Sequence, residues 1–347
     1  MPPIISPACD NVKPTVSGCP DGSCGVKLLA KLCFLIFVAL VPTPSFAQGR
    51  EDEIIANVAG GRVIVDVAKD VIIFAAVDQP VERNSIPPRV TNLDSSHIGV
   101  LLGASEWRIP ADPKPIRMDR DVQRITPRDP RYRGDPGEAE SDLETIGVAF
   151  LEKLRPLVSQ LHHKLDFAPD DPILQLVIIG FGTNDYGPEV WVVEYRIEQE
   201  QIAASGEYWQ TRILRPRFTQ LYPPEKHAPR TLVESRYPPG SKGPTLAEMI
   251  QGNEPSIVSL ASANPHFTKV IENFHGGQAQ KSAPEDSANF MRAVIPVIAG
   301  NAPFILGKMS APGGFDWIVP PAEPVQKVEE DKTRPPDAPT LRRPPKP

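Results

Sequence analysis

The chain has 347 residues, a formal net charge of −6 and 42 prolines. This length is sufficient for one large domain or two modest domains. The acidic balance, together with the lack of a basic stripe interleaved with aromatic residues, argues against nucleic acid as a partner. Prolines at more than twice their usual frequency of roughly 5% predict long irregular connections.

An export signal is predicted over residues 1–47. It combines a basic stretch at Lys27 and Lys31, an apolar run over residues 32–41 and a small-residue cleavage site that ends at Ala47. The apolar run is shorter than the roughly 20 residues that span a bilayer. We therefore expect cleavage, a secreted or periplasmic mature protein and no transmembrane segment after cleavage. An uncleaved membrane anchor is the alternative.

The four cysteines all precede the expected cleavage site: Cys9, Cys19, Cys24 and Cys33. The mature chain would therefore have no disulfide, and its stability would come from an ordinary hydrophobic core. Residues 1–25 contain three of these cysteines and no hydrophobic period, which is unusual for a signal peptide. A mis-assigned N-terminal extension, with true initiation near Val26, would explain this segment.

The first predicted unit of the mature chain is a β meander within residues 48–107. Apolar runs flank Gly60-Gly61 and predict a hairpin, because glycine adopts the positive φ of tight turns. A second turn at Lys69-Asp70 leads into a third strand that ends at Val77. Residues 108–137 then alternate proline with charges of both signs, which predicts a solvated linker.

A long amphipathic helix is predicted next, at the start of an α+β domain over residues 138–319. Ser141 and Glu144 have the spacing of a capping box at its N-terminus. Pro156 predicts a kink within the helix. The apolar face repeats every three or four residues and ends near Asp166: Leu143, Ile146, Phe150, Leu154, Leu157, Leu161 and Leu165.

Three antiparallel strands are expected after this helix. Residues 173–181 are almost continuously apolar, as in a central strand, and residues 191–197 alternate apolar and polar side chains. The third strand is expected at residues 207–214. The sequence therefore predicts an α+β fold of antiparallel β meanders, with the long helix packed on a sheet.

The C-terminal part predicts additional helices between proline-rich segments. Residues 216–243 are expected to form an irregular proline-rich loop. Helix starts follow at Thr245, with Glu248 completing a capping box, and at Asn264-Pro265. A last helix is expected over residues 284–299. Residues 320–347 have many prolines and few large apolar side chains, which predicts a disordered tail.

Residues 178–185 carry the motif most suggestive of chemistry, Ile-Ile-Gly-Phe-Gly-Thr-Asn-Asp. A hydrophobic strand that runs into Gly-Thr-Asn-Asp resembles one block of the SGNH hydrolases, and this resemblance implies an oxyanion-hole role for Asn184. The chain has no Gly-Asp-Ser block upstream. Its Asp94-x-x-His97 pair precedes the motif, whereas the family has this pair near the C-terminus. The alternative is a turn, because Asn184 and Asp185 tolerate left-handed geometry.

No metal or cofactor site is predicted. Gly180-x-Gly182 leads into a strand rather than the helix that a dinucleotide loop requires. Asp170 and Asp171 precede a proline and indicate a loop. A pair of glycosidase carboxylates stays an alternative, because the distance between two such groups is set by the fold and not by local sequence. None of five histidines has a ligand-like spacing, so surface or capping roles are expected for His162, His163, His227, His266 and His275.

Aromatic residues on neighbouring predicted strands provide one candidate binding surface: Trp191, Tyr195, Tyr208 and Trp209. They would pack beneath the long helix or, if one face of the sheet is open, bind a glycan or a peptide.

The sequence favours an exported, non-catalytic binding or assembly component of the cell envelope or extracellular space, with a protein or glycan partner. No catalytic residue is assigned. The alternative is a secreted or periplasmic hydrolase of esters or glycans, based on residues 182–185, Asp94 and His97. A third possibility is a small-molecule binder with a cleft between the N-terminal meander and the helix–sheet unit.

Overall fold

The computed structural model describes residues 54–81, 84–93, 96–110, 112–120, 136–165, 170–182, 187–202, 208–223, 231–311, 314–323 and 325. For residues 136–142 and 144 only the backbone is described. The predicted signal segment 1–47 lies outside these ranges. The fold is α+β, as the sequence predicts.

The described residues form fifteen strands and five α-helices. The strands are β1 (Ile55–Ala59), β2 (Gly61–Ala68), β3 (Val71–Asp78), β4 (Ser85–Ile86), β5 (Arg89–Asn92), β6 (His97–Arg108), β7 (Ile116–Arg117), β8 (Leu174–Gly182), β9 (Gly187–Tyr195), β10 (Ile197–Gln201), β11 (Trp209–Ile213), β12 (Arg217–Tyr222), β13 (Leu232–Tyr237), β14 (Phe304–Ser310) and β15 (Gly314–Val319). The helices are α1 (Pro136–Val158), α2 (Leu246–Gln251), α3 (Pro255–Ala263), α4 (Pro265–His275) and α5 (Pro284–Ala299).

Two large sheets contain most of the strands. Sheet A has the order β12-β9-β8-β6-β1-β4, and the short strands β5 and β7 also pair with β6. Sheet B has the order β13-β2-β3-β14-β15. Strands β10 and β11 form a separate antiparallel pair. The only parallel pairing in the described part of the chain joins β1 and β4.

Alternation of side chains along the strands separates three hydrophobic cores and so defines four layers. In β8, Leu176 faces a core shared with Phe150 of α1, whereas Val177 faces the core between the two sheets. In β3, Phe74 faces that same middle core, and Ile73 faces a third core formed with α2–α5. The layers are therefore α1, sheet A, sheet B and the C-terminal helices. Burial on both faces explains why these strands have almost continuously apolar sequences.

The hairpin predicted at Gly60-Gly61 is wrong. Strand β1 pairs with β6 in sheet A, whereas β2 pairs with β3 and β13 in sheet B, so the chain crosses between sheets at these glycines. A Cβ on Gly60 would lie 2.2 Å from the carbonyl oxygen of Gln79, so glycine permits a close backbone approach there. The turn predicted at Lys69-Asp70 is confirmed by the β2–β3 hairpin.

Strand β6 is the main element that the sequence analysis missed in the N-terminal half. It spans twelve residues and is buried as far as Trp107. Gly99 and Gly103 interrupt its apolar pattern; a Cβ on Gly99 would lie 2.7 Å from the Leu176 side chain. Because β6 pairs with β8, and β3 pairs with β14, the segments 48–107 and 138–319 contribute strands to the same two sheets.

The expected linker and the expected proline-rich loop also contain strands. Within residues 108–137, β7 pairs with β6. Within residues 216–243, β12 borders β9 and β13 borders β2, so an entirely irregular loop is the wrong description there. Pro216, Pro223 and Pro238 stand immediately outside these strands, where a missing amide donor does not disturb strand pairing.

The β8–β9 pair is antiparallel as predicted, and the strand predicted at residues 207–214 is present as β11, but its expected place beside β9 in a meander is wrong. Residues 207–214 contain β11, which pairs with β10, and it is β12 that lies beside β9. A sequence pattern can indicate a strand, but it does not specify which neighbour completes the backbone hydrogen bonds.

Helix α1 differs from the prediction at both ends. It begins at Pro136, so Ser141 lies inside the helix rather than at its N-cap, and it ends at Val158 rather than near Asp166. Beyond the helix, the Leu161 carbonyl accepts a hydrogen bond from Thr211 Oγ1 at 2.7 Å, and the next carbonyl accepts one from the Trp209 amide. These carbonyls therefore bond to β11 and not to the amides of a further helical turn. The kink at Pro156 stays a prediction.

Two C-terminal helices begin at their predicted capping residues, and a third helix has its predicted bounds. Thr245 and Glu248 make both bonds of the capping box before α2, Asn264 caps α4, and α5 spans the predicted residues. Helix α3 and the β14–β15 hairpin were not predicted. Residues 320–323 of the expected tail line a cavity, whereas residues 326–347 lie outside the described part of the chain.

Candidate functional site

A cavity of about 710 Å³ opens where the end of β3 meets β5, β7 and the segment that follows β15. Pockets of about 300–1,000 Å³ with mostly apolar walls and a few converging polar groups are typical small-molecule sites. The apolar walls include Ala76, Pro88, Val90, Phe304, Ile305 and Pro320. The charged residues are Asp78, Arg89, Arg117, Asp119 and Glu323.

Two arginines on the short strands β5 and β7 form the charged wall of this cavity. Arg89 donates from Nη2 to Glu106 Oε2 at 2.9 Å. Arg117 donates from Nε and Nη2 to the two carboxylate oxygens of Asp119 at 3.0 and 2.7 Å. Glu106 and Asp119 are both buried. These buried acids therefore fix the orientation of both guanidinium groups, and each Nη1 points toward the cavity.

Glu323, which follows β15, bridges the two arginines. Its Oε2 accepts hydrogen bonds from Nη1 of Arg89 at 3.0 Å and from Nη1 of Arg117 at 2.7 Å. The bond from Arg117 is the main cause that lowers the pKa of the Glu323 carboxyl. The side chain of Glu323 is 54% exposed, whereas that of Arg89 is 11% exposed. The arginines thus form a rigid anion site, and an exposed carboxylate occupies it.

Asp78 adds a partly buried acid at the end of β3. Its Oδ1 is buried without a hydrogen-bond partner among the described residues, and the same holds for Nε of Arg89. Burial raises the pKa of the Asp78 carboxyl above its usual value. Buried polar atoms without partners are rare in folded proteins, and binding and catalytic sites are among the places where they occur.

Prolines determine where the walls of the cavity are. Pro87-Pro88 precede β5, Pro303 precedes β14, and Pro320-Pro321 follow β15. Proline lacks the amide donor that strand pairing needs, so the strands begin or end at these positions. These segments therefore line the cavity and do not extend either sheet.

Arg89, Arg117 and Glu323 are not indicated by the sequence pattern. All three belong to segments rich in proline and mixed charge, a composition typical of solvated structure. The one local signal is a charged residue shortly after a Pro-Pro pair, at Arg89 and again at Glu323. This signal is weak, because the convergence of the three residues depends on long-range strand pairing.

His97, from the hydrolase hypothesis, lies beside the strand that carries the motif. It faces Gly180 in the β6–β8 register and is 2% exposed. Its Nε2 lies 2.7 Å from Oε1 of Glu189 on β9, and the other oxygen of that carboxylate accepts the indole N–H of Trp191 at 3.0 Å. Sequence spacing did not reveal Glu189 as the partner, because strand pairing brings the two residues together.

The remaining polar residues of the hydrolase hypothesis lie outside the described ranges. Asp94 and residues 183–186, which include Asn184 and Asp185, lie outside the described residues. The structure therefore places His97 beside Gly180 of the motif, and the oxyanion-hole role of Asn184 stays a prediction.

The other histidines are distributed over separate parts of the fold. The rings of His162 and Tyr208 stack with centroids 4.8 Å apart, and Nδ1 of His266 lies 2.9 Å from Asp286. His227 lies outside the described residues. Within the described ranges, no three His, Cys, Asp or Glu side chains come together as a candidate metal site. Asp170 is exposed and Asp171 is partly buried.

The four aromatic residues of the predicted cluster divide between two places. Tyr195 is buried beneath α1, where its hydroxyl donates to the Gly147 carbonyl at 3.1 Å, and Trp191 packs against the same core. Tyr208 is 46% exposed, and the ring of Trp209 lies 5.9 Å from Lys164 Nζ. The arrangement gives Trp191 and Tyr195 a structural role in the core under α1.

Comparison with known protein families and with curated proteins gives no match. Function must therefore be inferred from the geometry of the sites. Among the helices in the described ranges, none has the length and apolar character needed to cross a membrane.

Proposed function

We propose that this protein is an exported, non-catalytic binding protein that takes up a small ligand in the cavity beside β3, β5 and β7. One observation carries the proposal: a cavity of about 710 Å³ with apolar walls contains two arginines that buried acids hold in fixed orientations. Arginine stays protonated at physiological pH, so it recognises an anionic group rather than exchanging protons with it.

The location proposed for this binding protein is the cell envelope or the extracellular space. The basic and apolar pattern of residues 1–47 supports export. We also propose that the proline-rich residues 326–347, which lie outside the described residues, act as a spacer. In this proposal the amphipathic helix α1 has a structural role, because its apolar residues cover one face of sheet A.

The proposal is tested with a fluorescent probe on a chain that begins at Gln48. The probe 8-anilinonaphthalene-1-sulfonate combines an anionic group with an apolar aromatic body, so it matches the cavity. We expect saturable binding with one probe per chain. The exposed Ala322 lines the cavity, and Ala322→Trp should weaken binding by at least about tenfold by filling the entrance.

The matched control is Ala311→Trp, which adds the same side chain at an exposed turn after β14. It should retain the affinity of the unmodified chain. If both tryptophan variants bind the probe equally well, the probe does not occupy this cavity and the proposed function is wrong.

A hydrolase remains the second candidate, because the hydrogen bond between His97 and Glu189 resembles the way in which a carboxylate orients a catalytic histidine. Esterase activity toward p-nitrophenyl acetate would support it if His97→Asn abolishes the activity and Glu189→Gln reduces it. Equal rates for these variants and the unmodified chain would eliminate this candidate.

A further inference from the structure

The two arginines and their acids form a cluster with an excess of positive charge. Arg108 lies 3.9 Å from Glu106, and Arg120 lies 3.8 Å from Asp119, so four arginines surround two buried acids. By formal charge these four arginines and two acids sum to +2, and Asp78, which also lines the cavity, lowers the sum to +1 before Glu323 is counted. The Nη1 atoms of Arg89 and Arg117 converge on one point, and charge-assisted bonds from two guanidinium groups favour a carboxylate there.

Glu323 supplies this carboxylate, but it is more exposed than a structural ion-pair partner of two largely buried arginines would be. Its side chain is 54% exposed, whereas those of Arg89 and Arg117 are 11% and 19% exposed. An exposed partner contributes little net stability, because water solvates its charge well when the pair opens. The arginines are consequently fixed by the fold, and the carboxylate between them can be exchanged.

Glu323 is also part of the cavity wall. It follows Pro320-Pro321, and these prolines lie over the same space as Val90 and Phe304. The carboxylate of Glu323 thus lies where the apolar part of the cavity meets its charged wall. A free molecule with an apolar body and one terminal carboxylate would reproduce both parts of this arrangement.

We propose that Arg89 and Arg117 bind the carboxylate of a small organic acid whose apolar body fills the cavity, and that this ligand displaces Glu323. This inference rests on the proposed function, because both concern the same cavity. In the unliganded protein the segment of residues 320–323 closes the site through Glu323. Binding the acid releases that segment.

The test uses octanoate as the probe and 1-octanol as its uncharged counterpart, with heat of binding measured by calorimetry on the chain from Gln48. We expect octanoate to bind more tightly than 1-octanol. Glu323→Ala should strengthen octanoate binding by about tenfold by removing the competing carboxylate. It should leave 1-octanol binding within about twofold.

Glu285→Ala is the matched control, since Glu285 is an exposed glutamate paired with Lys308 outside the cavity lining. It should leave both affinities unchanged. Equal binding of octanoate and 1-octanol, or no gain in Glu323→Ala, would overturn the inference and leave the proposed binding function intact. If neither octyl probe binds to any variant, the inference fails; if 8-anilinonaphthalene-1-sulfonate also fails to bind, the proposed function fails as well.

Discussion

Replacement of Asp66 by asparagine is expected to remove a large pH dependence of stability. Asp66 lies on β2 and faces a small cavity lined by Leu232, Ile250 and Phe290. Burial raises the pKa of its carboxyl from 3.8 to about 6, against a hydrogen bond from Ser287 that lowers it. Between these two values the unfolded chain loses this proton while the folded chain keeps it, so stability falls as pH rises.

The size of this stability change follows from the pKa shift of Asp66. A change of about 2 pKa units corresponds to roughly 3 kcal/mol, at about 1.4 kcal/mol per unit. The contribution of protonated Asp66 is complete below pH 3.8 and is lost as pH rises through about 6. An asparagine does not ionise, so the free energy of unfolding of Asp66→Asn, relative to the unmodified chain, should rise by about 3 kcal/mol across this window.

The assay is urea unfolding of both proteins at a series of pH values from about 3.5 to about 7. Asp70→Asn is the control, because it makes the same chemical change at the exposed turn after the same strand. This control shows how the loss of one exposed carboxylate changes the dependence of the unfolding free energy on pH. If the difference between Asp66→Asn and the unmodified chain is constant across the range, the reasoning about burial is refuted.

Three further changes probe the fold. Phe150→Ala should cost about 3–5 kcal/mol in urea unfolding, because Phe150 is fully buried between α1 and sheet A, whereas Val148→Ala on the exposed side of α1 should cost little. Gly60→Ala should lower the melting temperature, since its Cβ would lie 2.2 Å from the carbonyl oxygen of Gln79; an unchanged value would contradict the crossing between sheets. Thr245→Ala should cost about 1 kcal/mol through the lost cap, and Thr245→Ser should restore it.

Features with local chemistry could be predicted from the sequence. Thr245 and Asn264 cap helices with their own side chains, and the turn at Lys69-Asp70 joins two adjacent strands. In each case the residues that determine the structure lie within a few positions of one another. The apolar run that forms β8 belongs to the same group, because burial on both faces is visible in composition alone.

Features that depend on distant segments could not be predicted. Gly60-Gly61 has the composition of a hairpin turn, and only the approach of Gln79 shows that it serves a crossing between sheets. The cavity shows the same limitation, since Arg89 and Arg117 converge because β5 and β7 both pair with β6. Glu323 reaches them from the far end of the described chain.

The position of β3 has a consequence for how this chain is made. β3 lies in the interior of sheet B, and one of its two neighbours, β14, is the last strand but one in the described residues. Until residues 304–310 have been synthesised, one edge of an apolar strand has no partner in sheet B. Long-range pairing of this kind is slow to form. If the chain is exported as proposed, sheet B cannot be completed until residues 304–310 have also crossed the membrane.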